Sequence, residues 1–481
     1  GLCASAGVRA VSRLRSGLLA VALALAALAA LPARAESLAD TMVAAYRHSA
    51  LLDQNRALLR AADEDVASAL AQLRPIVQWA AAHSFQRVDG AEAVTTTLSL
   101  VAQMTLYDFG RSQLAIDYAK EQVLATRESL IAVEQDVLLT AVQAFLNVRS
   151  AEQQVALQAN SVNLLGQERQ AAQDRFDVGE ITSTDVALAE AQLAQTRAGL
   201  ATAQGQLEIA REAFNASVGR MPARLDAPPP LPKRPESLEA ARAVARKTHP
   251  AIRQAQRATA AAELQVAAAA AERRPTITGQ IGLAGSRQPE TARNALGLPT
   301  GTEANHSGTL SARLEANQTI YSGGRLPASH RRAMASRDAT RASLLNAARQ
   351  VDQAVGTAWA NIDVARAQIR AIDEQISAAQ QAYEGVREEA TLGARTTLDV
   401  LDAEQDLLEA RADRITAEAN LQLAHYQLLA AMGLLTVTDL KLGIPTYDPS
   451  AYYNAVRNAP YTSTQGQSLD RVLRAIGRQP G

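Results

Sequence analysis

Leu106-Tyr107-Asp108-Phe109-Gly110-Arg111 recurs as Ile320-Tyr321-Ser322-Gly323-Gly324-Arg325, 214 residues later. The same offset carries Val178-Gly179 and Asp185-Val186 onto Leu392-Gly393 and Asp399-Val400. It carries Ala144-Phe145-Leu146-Asn147 onto Ala358-Trp359-Ala360-Asn361, and Ser217-Val218-Gly219 onto Ala431-Met432-Gly433. One offset, kept over so long a span of an Ala-rich chain, marks an internal duplication, and a duplication decides the fold before any local reading does. The chain holds two copies of one strand-helix-turn-helix unit.

Outward from these motifs the signal is helical. Ala, Leu, Gln, Glu and Arg fill residues 111–218 and 325–434 with almost no Pro. Leu114 to Val178 would make a helix of roughly 100 Å at about 1.5 Å per residue. Such length without internal caps predicts a coiled coil or bundle. Small residues recur on these helices (Ala187, Ala189, Ala191 and Ala194; Ala403 and Ala410) and allow close approach of neighbours. The polar faces are too wide for a thick globular core, so a thin-walled helical assembly is expected. Each copy also has an upstream helix running into Arg-Pro: Leu51–Leu73 before Arg74-Pro75, and Ala251–Arg273 before Arg274-Pro275. That offset is 200, so residues were added in the second copy. The addition falls around Ala295–Ser307, whose Gly, Pro, Thr and Asn predict a loop.

Between Arg-Pro and the Tyr motif lie two strand candidates per copy. In Thr309–Tyr321, Leu310, Ala312, Leu314, Ala316 and Ile320 alternate with polar residues, and Gln318 is the exception on the apolar side. Leu98, Leu100, Ala102, Met104 and Leu106 repeat the pattern in the first copy. Ile76–Val88 and Thr276–Ser286 are their expected partners. Period-two alternation of this length is the pattern of a membrane β-strand; a soluble two-sided hairpin gives it as well.

The organisation expected is a signal peptide over 1–35, a first repeat over 36–225, a Pro-rich linker over 226–236, a second repeat over 237–435, and an irregular tail over 436–481, with a short helix at Leu469–Ile476. Arg9, Arg13 and Arg15 precede an apolar stretch, Gly17–Leu31, and Ala33-Arg34-Ala35 offers a cleavage site, so the mature chain is expected to begin near Glu36. The one cysteine, Cys3, lies inside that signal, which excludes disulfides, thiolate metal sites and cysteine nucleophiles from the mature protein. The chain has 48 Lys and Arg against 49 Asp and Glu, and no basic bias points to nucleic acid. The linker, DAPPPLPKRPE, is stiff and extended.

Two hairpins give four strands, and about eight are needed to close even a small membrane barrel. Open edges are not tolerated in lipid. Strands in a membrane therefore require several chains to share one barrel, and the helices joined to the strand ends would continue it as a tube. The residues themselves do not choose between dimer, trimer and tetramer.

The signal peptide, the duplicated helix-hairpin-helix-turn-helix plan and the strand exits resemble the TolC family of outer-membrane efflux and secretion channels. Residues 175–186 (RFDVGEITSTDV) and 393–403 (GARTTLDVLDA) are similar to the helix turns of the branch serving type I secretion. The resemblance implies a mainly α fold with a membrane β-barrel, a homotrimer completing a 12-stranded barrel, and a long periplasmic extension. It implies a periplasmic adaptor and an inner-membrane ABC or RND pump as partners, outer-membrane lipid around the barrel, no cofactor, and passive transport. It assigns Asp399 and Asp402 to an acidic ring at the periplasmic entrance, and Arg395, Thr184 and Asp185 to a latch between neighbouring tips. A family aromatic is replaced here by Ala390, which removes one latch contact. Gly179 and Gly393 form the tip turns; Tyr107, Gly110, Tyr321 and Gly324 form the strand-to-helix exits.

Plainer readings stand beside these. Asp399 and Asp402, spaced i and i+3, share a helix face that solvent alone would suit. Acid near a helix start also suits the macrodipole, and Thr184 reads equally as a cap. Gly219 and Gly433 are further cap candidates, and Phe145 and Trp359 read as packing wedges. The six histidines are scattered, without H-E-x-x-H spacing, and no G-x-x-x-x-G-K-[ST] loop occurs; an enzyme is not expected. A soluble periplasmic coiled-coil adaptor or scaffold is the alternative, distinguished by having no lipid-facing strands. A surface adhesin, with its binding chemistry in the loop near 295–307, leaves the paired helical turns unexplained.

Overall fold

The computed structural model describes residues 35–88, 91–293 and 299–459. The expected signal sequence up to residue 34 and the expected helix at Leu469–Ile476 lie outside them. Helices α1 (Leu38–His48) and α2 (Ala50–Ala71) lead into strands β1 (Ile76–Val88) and β2 (Ala91–Tyr107). Then come α3 (Arg111–Asp177) and α4 (Ser183–Val218). The second half repeats this order with α5 (Leu238–Thr248), α6 (Pro250–Ala271), β3 (Thr276–Arg293), β4 (Pro299–Asn317), α7 (Arg325–Thr391) and α8 (Thr397–Ala431). A short α9 (Pro449–Val456) follows.

Both long helices, α3 and α7, have 67 residues, so each is about 100 Å long. Their far halves return through α4 and α8 as antiparallel hairpins, while their near halves pack with α2 and α6. Part of α3 is apolar enough by composition to cross a membrane. That helix instead carries the core of the first repeat, where Leu138, Val142 and Phe145 are fully buried against Leu38, Leu52 and Phe214. A second core gathers Val355, Ile362 and Leu428 around Ala241 and Ala245. The corners joining α1 to α2 and α5 to α6 meet the ends of the return helices. Gly219 (φ +84°) lies against the His48 ring, and Gly433 (φ +75°) against the His249 backbone. A Cβ at either would sit under 3 Å from those atoms, so both the left-handed backbone and the close approach select glycine.

All four strands pair antiparallel in the order β1-β2-β3-β4, and the β2–β3 ladder joins the two repeats. Rows of paired residues share a face. Trp79, Leu100, Leu283 and Leu310 form one apolar row; Val77, Ala102, Ile281 and Ala312 form the next. The large members of these rows are exposed, Trp79 at 73% and Leu310 at 72%. The opposite face carries Gln103, Gln280 and Arg313 in one row. Within one chain, β1 and β4 are open edges.

Three expectations are corrected. Strand β4 ends at Asn317 rather than Tyr321. Gln318, which broke the alternation, has left the sheet and donates through Nε2 to the Arg273 carbonyl at 3.2 Å. The added segment around Ala295–Ser307 is not a loop throughout. Strand β3 continues past Ser286 to Arg293, and residues 299–307 pair with it. Its Thr and Asn read as loop composition, yet the backbone pairs in register across the hairpin from Ala292–Gly301 down to Ser286–Ser307, and Pro299 occupies the first strand position, where its missing N–H is tolerated. The tail is not wholly irregular either. Asp448 caps α9 by accepting from the Ser450 N–H at 2.8 Å, with Pro449 at the first helical position.

Candidate functional site at the helix tips

The two tips are built from the same backbone devices. At the end of α3 the Gly179 N–H donates to the Phe176 carbonyl and the Glu180 N–H to the Arg175 carbonyl, both at 2.9 Å. At the end of α7 the Gly393 N–H donates to Ala390 and the Ala394 N–H to Glu389. These are Schellman closures, and they require the left-handed residue that Gly179 (φ +81°) and Gly393 (φ +76°) provide. Three residues later each return helix opens with a capping box. Thr182 and Asp185 exchange hydrogen bonds at the start of α4; Thr396 and Asp399 do so at the start of α8.

These boxes give several expected site residues a local job. Asp399 Oδ2 accepts from the Thr396 N–H (2.9 Å) and hydroxyl (2.8 Å). Those two bonds hold its carboxyl below the usual carboxylate range. Asp185 is lowered in the same way by the Thr182 hydroxyl and N–H. The cap of α4 is Thr182, not Thr184, which lies exposed just inside the helix. Asp402 stands exposed one turn beyond Asp399.

Within one chain the expected latch does not form. Arg395 bonds neither Thr184 nor Asp185; its Nε donates to Glu389 Oε2 at 2.9 Å, inside its own turn. Besides the packing of Leu401 among Val186, Ala172 and Leu165, a polar contact that sequence reasoning missed ties the tips together. Arg175 Nη2 donates to the Ala390 carbonyl at 3.1 Å while its Nε lies 3.4 Å from Glu180. Its only sequence signal is its place at the end of α3, where a cation suits the helix dipole. Ala390 itself is buried beside Tyr383, Val400 and Leu407.

A turn above Asp399, Glu404 is buried at 5% exposure. Its Oε1 accepts from the Ser161 hydroxyl at 3.4 Å; its Oε2 has no partner. Burial pushes its carboxyl up to about 7, helped by Glu168 and opposed by Ser161 and Arg387. Arg387 and Glu168 pair at 3.3 Å, and the buried Tyr383 hydroxyl is unpartnered. A single Glu among many on a charged helix gives no advance sign of this.

At the other end of the long helices sit the strand exits. Asp108 accepts from the Gly110 and Ser112 N–H groups, and Tyr107 and Phe109 pack edge-on at 4.5 Å. In the second copy the Ser322 hydroxyl accepts from the Leu326 N–H. Gly110 (φ +87°) and Gly324 (φ +90°) cap α3 and α7. Tyr321 is 87% exposed.

An apolar-faced sheet that cannot close alone, continued by paired helices about 100 Å long, defines a membrane channel with a helical tunnel. The chain belongs to the outer membrane efflux protein family, whose sequence model matches residues 41–220 and 242–434. It is 33% identical over 427 residues to the outer membrane efflux protein BepC of Brucella suis, covering 89% of this chain and 91% of that one. It is 29% identical over 410 residues to the protein CyaE of Bordetella pertussis, with coverages of 83% and 84%. A solved structure of CusC, described as forming a transmembrane channel, superposes with a TM-score of 0.71 at 19% identity, covering 83% of this chain and 92% of that one. The protein is thus an outer-membrane exit duct for efflux or secretion, and its periplasmic part is the helical tunnel. Its barrel is completed by a trimer. The soluble adaptor reading falls with the exposed apolar face of the sheet and with the family.

Proposed function

We propose that this duct is passive and non-catalytic, and that its periplasmic tips are the gated entrance. A periplasmic adaptor and an inner-membrane ABC or RND pump would engage the tips; energy and choice of cargo come from that pump. The mature chain begins near Glu36, after removal of residues 1–35, and the two repeats meet at the linker 226–236. In the trimer Asp399 and Asp402 of each chain converge as a cation-selecting ring, as rings of carboxylates do. Arg395 reaches Thr184 or Asp185 of a neighbouring chain, in place of the Glu389 it holds within its own.

One observation carries the entrance reading: both hairpins end in the same tight, capped turn, and at one of them two acids occupy one face of the first turns of α8. The test is single-channel conductance of the purified trimer in a planar bilayer, beside Asp399→Ala/Asp402→Ala. The expected result is a small cation-selective conductance that loses its selectivity in the double variant. Unchanged selectivity would move the constriction away from the tips.

A further inference from the structure

Above the strand exits, the outward face of the sheet is apolar up to one transverse row, and Arg87, four residues beyond His83 on the same face of β1, is charged again. Above the level of Tyr107, Ile277 and Ala316, the paired outward positions are Val, Trp, Ala, Leu, Met, Ile and Gly, until this transverse row. That row is His83–Thr96–Arg287–His306, one residue from each strand. Among the described side chains it holds, apart from the Trp79 indole N–H, every charged or hydrogen-bonding group on the outward face above Ile277 and up to Arg287. Phe85 and Val94, paired just above it, are apolar again.

Its height is set by the strand. Ile277 to Arg287 is ten residues, about 34 Å along the strand at ~3.4 Å each. At a barrel tilt of about 35–45° this is roughly 25 Å across the membrane, the height of the apolar band of such barrels. The hairpin turns lie at the end of the sheet away from the helices, so the row stands at the outer-leaflet boundary. There a guanidinium meets lipid headgroups, not water alone and not hydrocarbon.

The chemistry of the row is that of an anion cradle. All four side chains are exposed, and none is acidic. Arg287 has no hydrogen bond or ion pair among the described residues, so its fork of donors is free for a bidentate oxyanion. His83 Nδ1 lies 2.9 Å from Thr96 Oγ1. When Nδ1 accepts that bond, Nε2 carries the ring proton and is a further donor. Neighbouring strands stand about 4.8 Å apart, so the four residues span about 14 Å, the width of a headgroup rather than of a single ion. The small row beneath, with Gly285 and Gly308, leaves room for acyl chains against Leu98 and Trp79.

We propose that His83, Thr96, Arg287 and His306 form a binding site for the phosphate of an outer-leaflet lipid, whose acyl chains lie on the apolar rows below. The inference rests on the barrel and on nothing about the tips. It is tested with Trp79, on the same face four residues below His83; the other tryptophan, Trp359, lies in α7, away from the sheet. Purified trimer is reconstituted in phosphatidylcholine vesicles containing either phosphatidic acid or phosphatidylcholine with brominated acyl chains, and Trp79 quenching is read as relative affinity. The expected preference for brominated phosphatidic acid is about five-fold, the effect of one basic residue near a membrane surface. It falls to parity in His83→Gln/Arg287→Gln/His306→Gln and persists in Arg287→Lys. Should the triple variant fail to insert, Arg287→Gln alone must lose most of the preference. Parity in the unaltered protein, full preference in the triple variant, or abolition of the preference by millimolar inorganic phosphate would each overturn the lipid site. Conductance of the same vesicles separates the cases: a normal pore without lipid preference removes this site only, whereas no pore removes the barrel and the site together.

Discussion

Phe145 and Trp359 occupy the same place in the two repeats and do different work. Phe145 is fully buried in the first core, among Leu138, Val142 and Phe214. Trp359 is half-buried, and its ring lies 3.4 Å under the Arg234 guanidinium, which also forks onto Asp363. Arg234 belongs to the linker. One copy therefore spends its aromatic on a core, and the other spends it on holding the strap that joins the copies. Around this difference the backbone devices are unchanged: both tips close with a Schellman glycine and a Thr-x-x-Asp box, and both exits turn on a left-handed glycine. Features set by backbone geometry have survived the duplication, and side-chain wiring has diverged.

The most severe test of that contrast is to truncate both aromatics. Phe145→Ala should cost about 3–5 kcal/mol, as core aromatic truncations do. Trp359→Ala removes partial burial and a cation–π contact of about 0.5–2 kcal/mol, so it should cost clearly less. Rates of heat dissociation of the purified trimer would rank them, since an assembly of this kind is compared by kinetic stability. Equal losses would mean that the two positions are equivalent after all.

The pH response of the tips is the next effect in size. Glu404 has its folded pKa raised from 4.5 to about 7. The folded state therefore holds the proton more tightly than the unfolded one. The stabilisation is complete below about pH 4.5 and is lost as pH rises through about 7, amounting to at most about 3 kcal/mol. Hydrogen exchange in α8, corrected for intrinsic rates, should show the second hairpin loosening across that window, and Glu404→Gln should flatten the response. The equivalent stretch of α4 has no buried carboxylate among its buried residues and should stay flat in both proteins.

How far this was legible follows from the same division. Helix lengths, the strand pairs and the glycine turns were readable because periodicity and left-handed turns act locally. The end of β4 was misread because Gln318 looks like one imperfect member of an alternating run until its partner, the Arg273 carbonyl, is known. The added segment was misread because loop composition does not reveal whether a backbone partner lies opposite. Glu404 and Arg175 were invisible for a third reason: burial of a charged residue on a charged helix depends on which helix packs over it. At the tips the turn residues could be found, while the contacts between hairpins could not.

Substituting the tip glycines tests whether the shared devices are equivalent. No neighbouring atom lies within 4 Å of a Cβ at Gly179 or Gly393, so alanine would suffer only the left-handed backbone, about 1–2 kcal/mol. Both variants should raise local exchange at their own tip by the same factor. Unequal effects would reveal a packing demand at one tip that the free chain does not have.

The smallest expected effect is the most discriminating for the entrance. Arg395 and its partner Glu389 are both about half exposed, and such exposed pairs add little to stability. Arg395→Ala should therefore leave heat dissociation of the trimer unchanged. If Arg395 serves only its own turn, conductance is unchanged as well. If three copies of it cross to neighbouring chains, the variant opens more often than the unaltered pore, and Arg395→Lys, which keeps the charge, restores part of the closure. A change in opening without a change in stability is the signature that separates a latch between chains from a hydrogen bond within one.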